Sequence, residues 1–256
     1  MHIAQGVEML ELKAELMDGP NTFYPTLLWD KQDVVLVDAG LPGMASLIRG
    51  AIEQTRVPFE KITRIIITHH DLDHIGSLGE LQRSLPHPVE VLAHAEEVPY
   101  IQGERTPIKM TPAMLQQMEE QMKSLPAERR QAMRSMRDAT KNQKLKVDRT
   151  VGDGEILPCC GGIQIIHTPG HTPGHICLYL PASKTLIAGD ALFVADGRLT
   201  PAPPFINADT PGAMASLAKL TRFDIANIIA YHGGLFRDDP NQRLAQILRE
   251  NQIGAR

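Results

Sequence analysis

The sequence predicts an α/β chain: two mixed sheets packed face to face and flanked by helices, an αββα sandwich, with a helical insertion. Three observations predict it. Runs such as Asp33–Val37 and Ile62–Thr68 have the near-continuous apolar character of strands buried on both faces. Stretches with helical spacing alternate with them. Each half also places metal-type side chains directly after such a run, and two facing sheets with helices outside would bring those strand ends together. At 256 residues the chain, 1–256, can bury one core as a single domain.

The elements follow in order. Val7–Leu12 alternates apolar and polar residues, as a half-buried strand does. Asn21–Trp29 and Asp33–Val37 read as further strands, the latter ending in Asp38-Ala39-Gly40. Met44–Thr55 reads as a helix, with Leu47, Ile48, Ala51 and Ile52 on one face. Ile62–Thr68 is a buried strand that runs straight into His69; a helix over Ser77–Ser84 and a strand over Val89–Ala93 complete this half.

The stretch from about 96 to 146 is rich in Met, Gln, Glu, Lys and Arg and reads as a helical insertion, cut into short pieces by Pro99, Pro107, Pro112 and Pro126. Met110, Met114, Met118 and Met122 recur every four residues and so share a face. That face serves either as packing inside a helical hairpin or as a lid or dimer surface, since Met side chains adapt to varied partners. A homodimer through the insertion is one expectation. The second half returns to strands at Gly162–Ile166, Ile176–Leu180, Thr185–Ala188 and Ile225–Ala230, with helices over Pro211–Thr221 and Pro240–Asn251.

Composition narrows the partners. A net charge of −4 with scattered Lys and Arg argues against nucleic acid or anionic lipid. The expected partner is a small-molecule substrate. No apolar run approaches the roughly 20 residues that span a bilayer, and the first residues lack a signal-peptide h-region. Of the three cysteines, Cys159 and Cys160 are adjacent and Cys177 has no evident mate, so a reduced, cytoplasmic protein with small buried thiols is expected.

The chemistry concentrates in four places. Thr68-His69-His70-Asp71-Leu72-Asp73-His74 packs three imidazoles and two carboxylates into six positions after an apolar strand. Burying so many polar groups without a cation would be costly, and a metal resolves that cost. A second cluster, His167-Thr168-Pro169-Gly170-His171-Thr172-Pro173-Gly174-His175, again leaves a strand. Asp190 follows Thr185–Ala188, and His232 follows Ile225–Ala230.

Together these motifs resemble the metallo-β-lactamase fold superfamily, whose pattern is His-x-His-x-Asp-His followed by a distant His, an Asp and a last His. The resemblance covers nearly the whole chain. Asp38-Ala39-Gly40 looks like the early Asp-x-Gly turn, and Thr168–His175 resembles the signature of the glyoxalase II-like branch. It implies two divalent metal ions: His69, Asp71 and His171 on one, Asp73, His74 and His232 on the other, and Asp190 bridging. The expected nucleophile is a hydroxide shared by the ions, because metal binding lowers the pKa of water from about 15.7 to roughly 7. Catalytic roles fall to Asp190 as bridge and to Asp73, which can also orient the nucleophile or move a proton.

One position departs from the pattern: Asp71 stands where the family has its second His. Three carboxylates against two divalent ions leave a formal charge of +1 (−3 + 4), one less than the usual set. That implies a less acidified water and a site that accepts iron or manganese as well as zinc, the first expectation. Alternatively, the adjacent His70 takes the vacant place. His175 and Asp38 are expected to hold ligands through hydrogen bonds. His167 reads as a packed strand-end residue, His94 as either a pocket or a surface residue, and His2 and His87 as surface.

The functional expectation is a metal-dependent hydrolase that cleaves an ester, lactone or thioester in a small metabolite. Lactonases of the family usually carry a Tyr shortly after the bridging Asp, where this chain has Ala191-Leu192-Phe193-Val194. Glyoxalase II has a sizeable C-terminal helical domain, whereas 24 residues (256 − 232) follow His232 here. The alternatives are a phosphodiesterase and a di-iron redox protein similar to the flavodiiron metal domain, which has a carboxylate where Asp71 sits. A non-catalytic, metal-stabilised binding protein is disfavoured, because every ligand position holds a competent side chain.

Overall fold

The computed structural model describes residues 1–16, 19–111, 116–117, 119–120, 122–123, 126–127, 130–131 and 145–253. The N-terminal half supplies strands β1 (His2–Ala4), β2 (Val7–Met9), β3 (Leu12–Leu16), β4 (Gly19–Phe23), β5 (Thr26–Trp29), β6 (Val34–Val37), β7 (Arg64–Ile66) and β8 (Glu90–His94), with helices α1 (Ala45–Glu53), α2 (Leu72–Ile75), α3 (Leu78–Ser84) and α4 (Val98–Ile101). The C-terminal half supplies β9 (Arg149–Val151), β10 (Ile156–Leu157), β11 (Ile163–His167), β12 (Ile176–Leu180), β13 (Thr185–Ile187), β14 (Leu192–Ala195), β15 (Arg198–Pro201), β16 (Asn227–Ala230) and β17 (Gly234–Phe236), with α5 (Thr210–Leu220) and α6 (Pro240–Ile253).

Two sheets carry the architecture. The first has seven strands in the order β1-β2-β5-β6-β7-β8-β9, and the second six in the order β10-β11-β12-β13-β16-β17. Both are mixed: β6, β7, β8 and β9 run parallel after an antiparallel edge, and β13–β16 is the parallel pair of the second sheet.

Side-chain alternation assigns each strand two faces and so builds four layers. Val35, Val37, Ile66 and Leu92 of the first sheet meet Ile165, Ile176, Leu178, Ile187 and Ile229 of the second in one buried cluster between the sheets. The alternate residues Leu36, Ile65, Ile67 and Val91 point outward onto Ile48 and Ile52 of α1 and Leu81 of α3. On the opposite outer face Ile166, Tyr179, Leu186 and Ile228 pack on Leu217 and Leu220 of α5 and Leu244 and Ile247 of α6. This double burial is the reason the strands read as unbroken apolar runs; each fully buried Ile or Leu contributes on the order of 2 kcal/mol. The αββα sandwich predicted from sequence is the fold observed.

Local differences have local causes. Asn21–Trp29 is two strands, because Pro25 has no N–H for a ladder and its carbonyl instead accepts Leu10 N–H at 2.8 Å. Val7–Leu12 likewise breaks at Leu10, and β3 pairs with β4 as a separate two-stranded ribbon. A second ribbon, β14–β15, follows Asp190. In the 96–146 stretch α4 is helical and 102–111 turns; most of 112–144, including Met114 and Met118, lies outside the described residues. Among those described, no helix is long and apolar enough to cross a membrane.

The sheets place the chemistry. The parallel strands β6, β7 and β8 end on one edge, delivering Asp38, His69 and His94. Strands β11, β13 and β16 end in the loops that carry His171, Asp190 and His232.

Candidate metal centre

Seven side chains from four loops converge at that edge. His69, Asp71, His171 and Asp190 form one group of potential metal ligands, and Asp73, His74 and His232 a second. In the first, His171 Nε2 lies 3.0 Å from Asp71 Oδ2 and 3.4 Å from Asp190 Oδ2, and His69 Nε2 lies 3.4 Å from Asp71 Oδ2 and 4.0 Å from Asp190 Oδ2. In the second, Asp73 Oδ2 is 3.2 Å from His232 Nε2 and 3.8 Å from His74 Nε2. Asp190 touches both: Oδ1 is 3.3 Å from His74 Nε2 and Oδ2 is 3.4 Å from His232 Nε2. Tetrahedral ligands at about 2.1 Å from an ion stand roughly 3.4 Å apart, so these spacings suit an ion in each group.

Buried lone pairs supply an independent test. His69 Nε2, His74 Nε2 and Asp190 Oδ1 are buried, face the centre and have no hydrogen-bond partner. Orphaned buried acceptors are costly, and a cation answers all three, so the residues fit divalent metal. The other ring nitrogens are committed. His74 Nδ1 donates to Asp38 Oδ2 at 2.9 Å, His69 Nδ1 lies 3.1 Å from Thr68 Oγ1, and His171 Nδ1 lies 3.3 Å from Asn207 Oδ1. Each Nε2 is thereby left for the centre.

The electrostatics couple these imidazoles and carboxylates to one another. Burial drives the His69 imidazole well below its ordinary value. Burial pulls on His74 too, but Asp38, Asp73 and Asp190 outweigh it and push that ring well above. At His232 burial is overcome by Asp190 and Asp73, and the ring rises to about 9. The carboxyls of Asp71 and Asp190 fall well below the usual range despite burial, because of the imidazoles around them.

Two expected supports occupy their places. Asp38, at φ 66°, accepts Thr68 N–H at 2.8 Å as well as His74. His175, fully buried, accepts Asp190 N–H on Nε2 at 3.0 Å and lies 2.8 Å from Thr168 Oγ1 through Nδ1, so it orients Asp190 as well as the loop of His171. Gly233, beside His232, has φ 97°, and a Cβ there would fall 1.8 Å from the Val194 carbonyl oxygen. Phe193 stacks on the His232 ring at 4.8 Å.

His70 faces away from both groups. It is buried, pairs through Nδ1 with Glu97 and stacks on Tyr100 at 4.4 Å. The strand-end His167 stacks on His94 with centroids 4.0 Å apart and planes 11° apart. With Glu96 these two form a third group of potential ligands, yet stacked parallel rings aim their in-plane lone pairs side by side instead of at one point. Cys159 and Cys177 are buried free thiols, whereas Cys160 is half-buried. Burial pushes the Cys177 thiol up to about 12, which leaves it inert at neutral pH.

Sequence reasoning missed four contributors: Lys109, which contacts Asp71 and stands 2.6 Å from His171 Nε2; the buried Glu97; Asn207; and Tyr231, whose ring lies 3.8 Å from that of His74 and whose hydroxyl donates to the Asp73 carbonyl. Tyr231 adjoins His232 in the sequence and could have been flagged. No local pattern marks the other three.

The chain is similar to known proteins over most of its length. The sequence profile of the metallo-beta-lactamase superfamily matches residues 24–232. The probable metallo-hydrolase YflN of Bacillus subtilis (strain 168) is 27% identical over 230 residues, 83% of this chain and 80% of that protein. A hydroxyacylglutathione hydrolase of Alkalilimnicola ehrlichii is 28% identical over 222 residues, 83% of this chain and 67% of that protein. A metallo-beta-lactamase family protein from Thermus thermophilus superposes with a TM-score of 0.68 at 22% identity, covering 98% of this chain and 81% of the other.

Proposed function

This chain belongs to the metallo-β-lactamase superfamily of metallohydrolases, and from that premise we propose that it hydrolyses an ester, lactone or thioester bond of a small metabolite at a centre of two divalent ions. The observation that carries the reading is the meeting of the orphaned His69, His74 and Asp190 atoms among seven potential ligands.

His69, Asp71 and His171 would hold one ion, Asp73, His74 and His232 the other, with Asp190 shared. When bound, such ions act as Lewis acids on a carbonyl oxygen and acidify water towards a pKa of roughly 7. Asp73 is about a fifth exposed, so it can reach both the centre and solvent; it orients the attacking water and relays its proton. Asp190, held through its amide by His175, fixes the relation between the two groups. Zinc is the first expectation. Asp71, a hard oxygen donor in place of an imidazole, favours iron or manganese more than the usual set does.

Relatives named hydroxyacylglutathione hydrolase support acyl substrates, and the net charge of −4 supports a small molecule over nucleic acid. A cytoplasmic, dimeric protein is part of the same proposal, and light scattering checks the dimer. Asp71 also favours one competing reading, a di-iron redox centre. Metal analysis of protein purified without added metal, with turnover of lactone, thioester and phosphodiester panels, tests both. About two ions per chain with hydrolysis of one acyl class supports the hydrolase. Iron with oxygen or peroxide turnover and no hydrolysis supports the redox reading, and phosphodiester cleavage alone would move the assignment to a phosphodiesterase.

A further inference from the structure

Lys109 brings a positive charge to a centre already designed for cations. Its Nζ contacts Asp71 Oδ2 and stands 2.6 Å from His171 Nε2, two atoms themselves 3.0 Å apart. Among the described residues, no other lysine or arginine pairs with any of the seven ligands. The side chain is partly exposed, at 24%, and follows the exposed Ile108 in the turn that leads away from α4.

The stereochemistry of His171 decides what that ammonium can do. Nδ1 faces Asn207, so Nε2 has one lone pair to offer, and Lys109 lies within hydrogen-bond reach of it. A metal ligated by His171 needs that same lone pair, so lysine and metal cannot share it. The lysine must then step aside, and its flexible four-carbon stem lets the charge turn to a neighbouring partner. Three carboxylates, two divalent ions and one ammonium sum to +2 (−3 + 4 + 1). A partly desolvated ammonium in such a field, its Asp71 partner now turned to metal, calls for an anion.

Resting on the hydrolase reading above, we infer that Lys109 binds an anionic group of the substrate, and that the centre takes esters or thioesters bearing a carboxylate a few atoms from the scissile carbonyl. Lys109 is thus a substrate-binding residue as well as a neighbour of the ligands.

The test pairs the zinc-loaded protein with two esters of one phenol: the hemisuccinate, which is anionic, and its methyl-capped diester, which is neutral. Wild type is expected to favour the anionic ester at least tenfold in kcat/KM, mainly through KM. Lys109→Met should bring that ratio below twofold, and Lys109→Arg should restore most of it. Calorimetry supplies a readout independent of turnover: succinate should bind the loaded wild type about tenfold more tightly than the loaded Lys109→Met protein, at equal metal content. Turnover of both esters with no preference, and succinate binding indifferent to Lys109, would overturn the anchor while leaving the hydrolase intact. Lys109-dependent succinate binding with neither ester cleaved would keep the anchor and remove the hydrolase reading.

Discussion

The carboxylate of Glu97 accepts the backbone N–H of His70 at 2.8 Å, across 27 residues of sequence. Its other oxygen accepts Thr172 Oγ1–H at 2.8 Å and Gly174 N–H at 2.7 Å. One fully buried side chain therefore ties the loop of His69–His74 to the loop of His171. Gly174 permits the approach, since a Cβ there would stand 2.8 Å from Glu97 Cγ. The brace thus joins the two loops that carry candidate ligands from separate strands.

Glu97→Gln should accordingly destabilise the fold by about 2–3 kcal/mol, because it leaves a buried donor facing amide donors. In a chain of this size that is a drop in Tm of roughly 4–12 °C, read by calorimetry. The pH dependence has a definite sign. Burial pushes the Glu97 carboxyl up, but His70, Thr172 and Gly174 more than reverse it, and the carboxyl ends below its ordinary 4.5. A lowered folded value adds stability above the unfolded value and loses it as pH falls through the folded one. The stability gap between wild type and Glu97→Gln should be full at pH 6 and shrink below about pH 4; a gap constant from pH 6 to 3.5 in urea unfolding would count against this.

Asp190→Asn keeps the shape of the side chain shared by both groups and removes its charge. Metal content should fall below that of wild type, and kcat/KM should drop at least about a hundredfold. Plasma mass spectrometry and kinetics on the same preparation read both effects.

Asp71→His converts the departing position to the family pattern and removes one carboxylate. Zinc should then be retained in preference to iron or manganese, and the acidic limb of the rate profile should move to lower pH, because the centre carries one more positive charge. An unchanged limb and unchanged metal selection would show that Asp71 does not set either property.

Asp38→Ala leaves His74 Nδ1 and Thr68 N–H without the acceptor they share. Loss of such a support typically costs 10–100-fold in metal affinity, so competition with a chromophoric chelator should show weakening in that range. Chelator-stripped wild type should also lose both activity and several degrees of Tm, regaining them on metal addition.

Most of this organisation was legible in the chain because its signals are local. Unbroken apolar runs marked the doubly buried strands, and the His and Asp side chains that follow Ile67, Ile166, Ala188 and Ala230 marked the candidate ligands. The break at Pro25 was also in plain view, since a proline inside a run ends a ladder, though Asn21–Trp29 read as continuous. The ribbon β14–β15 was missed because its pairing lies beyond the motif that drew attention to Asp190.

What the sequence determined alone was the fold class and the candidate ligands, since alternation and clustered imidazoles are properties of neighbouring residues. The tertiary structure decided which nitrogens face the centre, that His70 faces Glu97 instead, and that Lys109 stands among the ligands 62 residues from His171. Those outcomes depend on loops closing across tens of residues. The energy that selects them, the burial of charge against its partner, does not exist until the two sheets have packed.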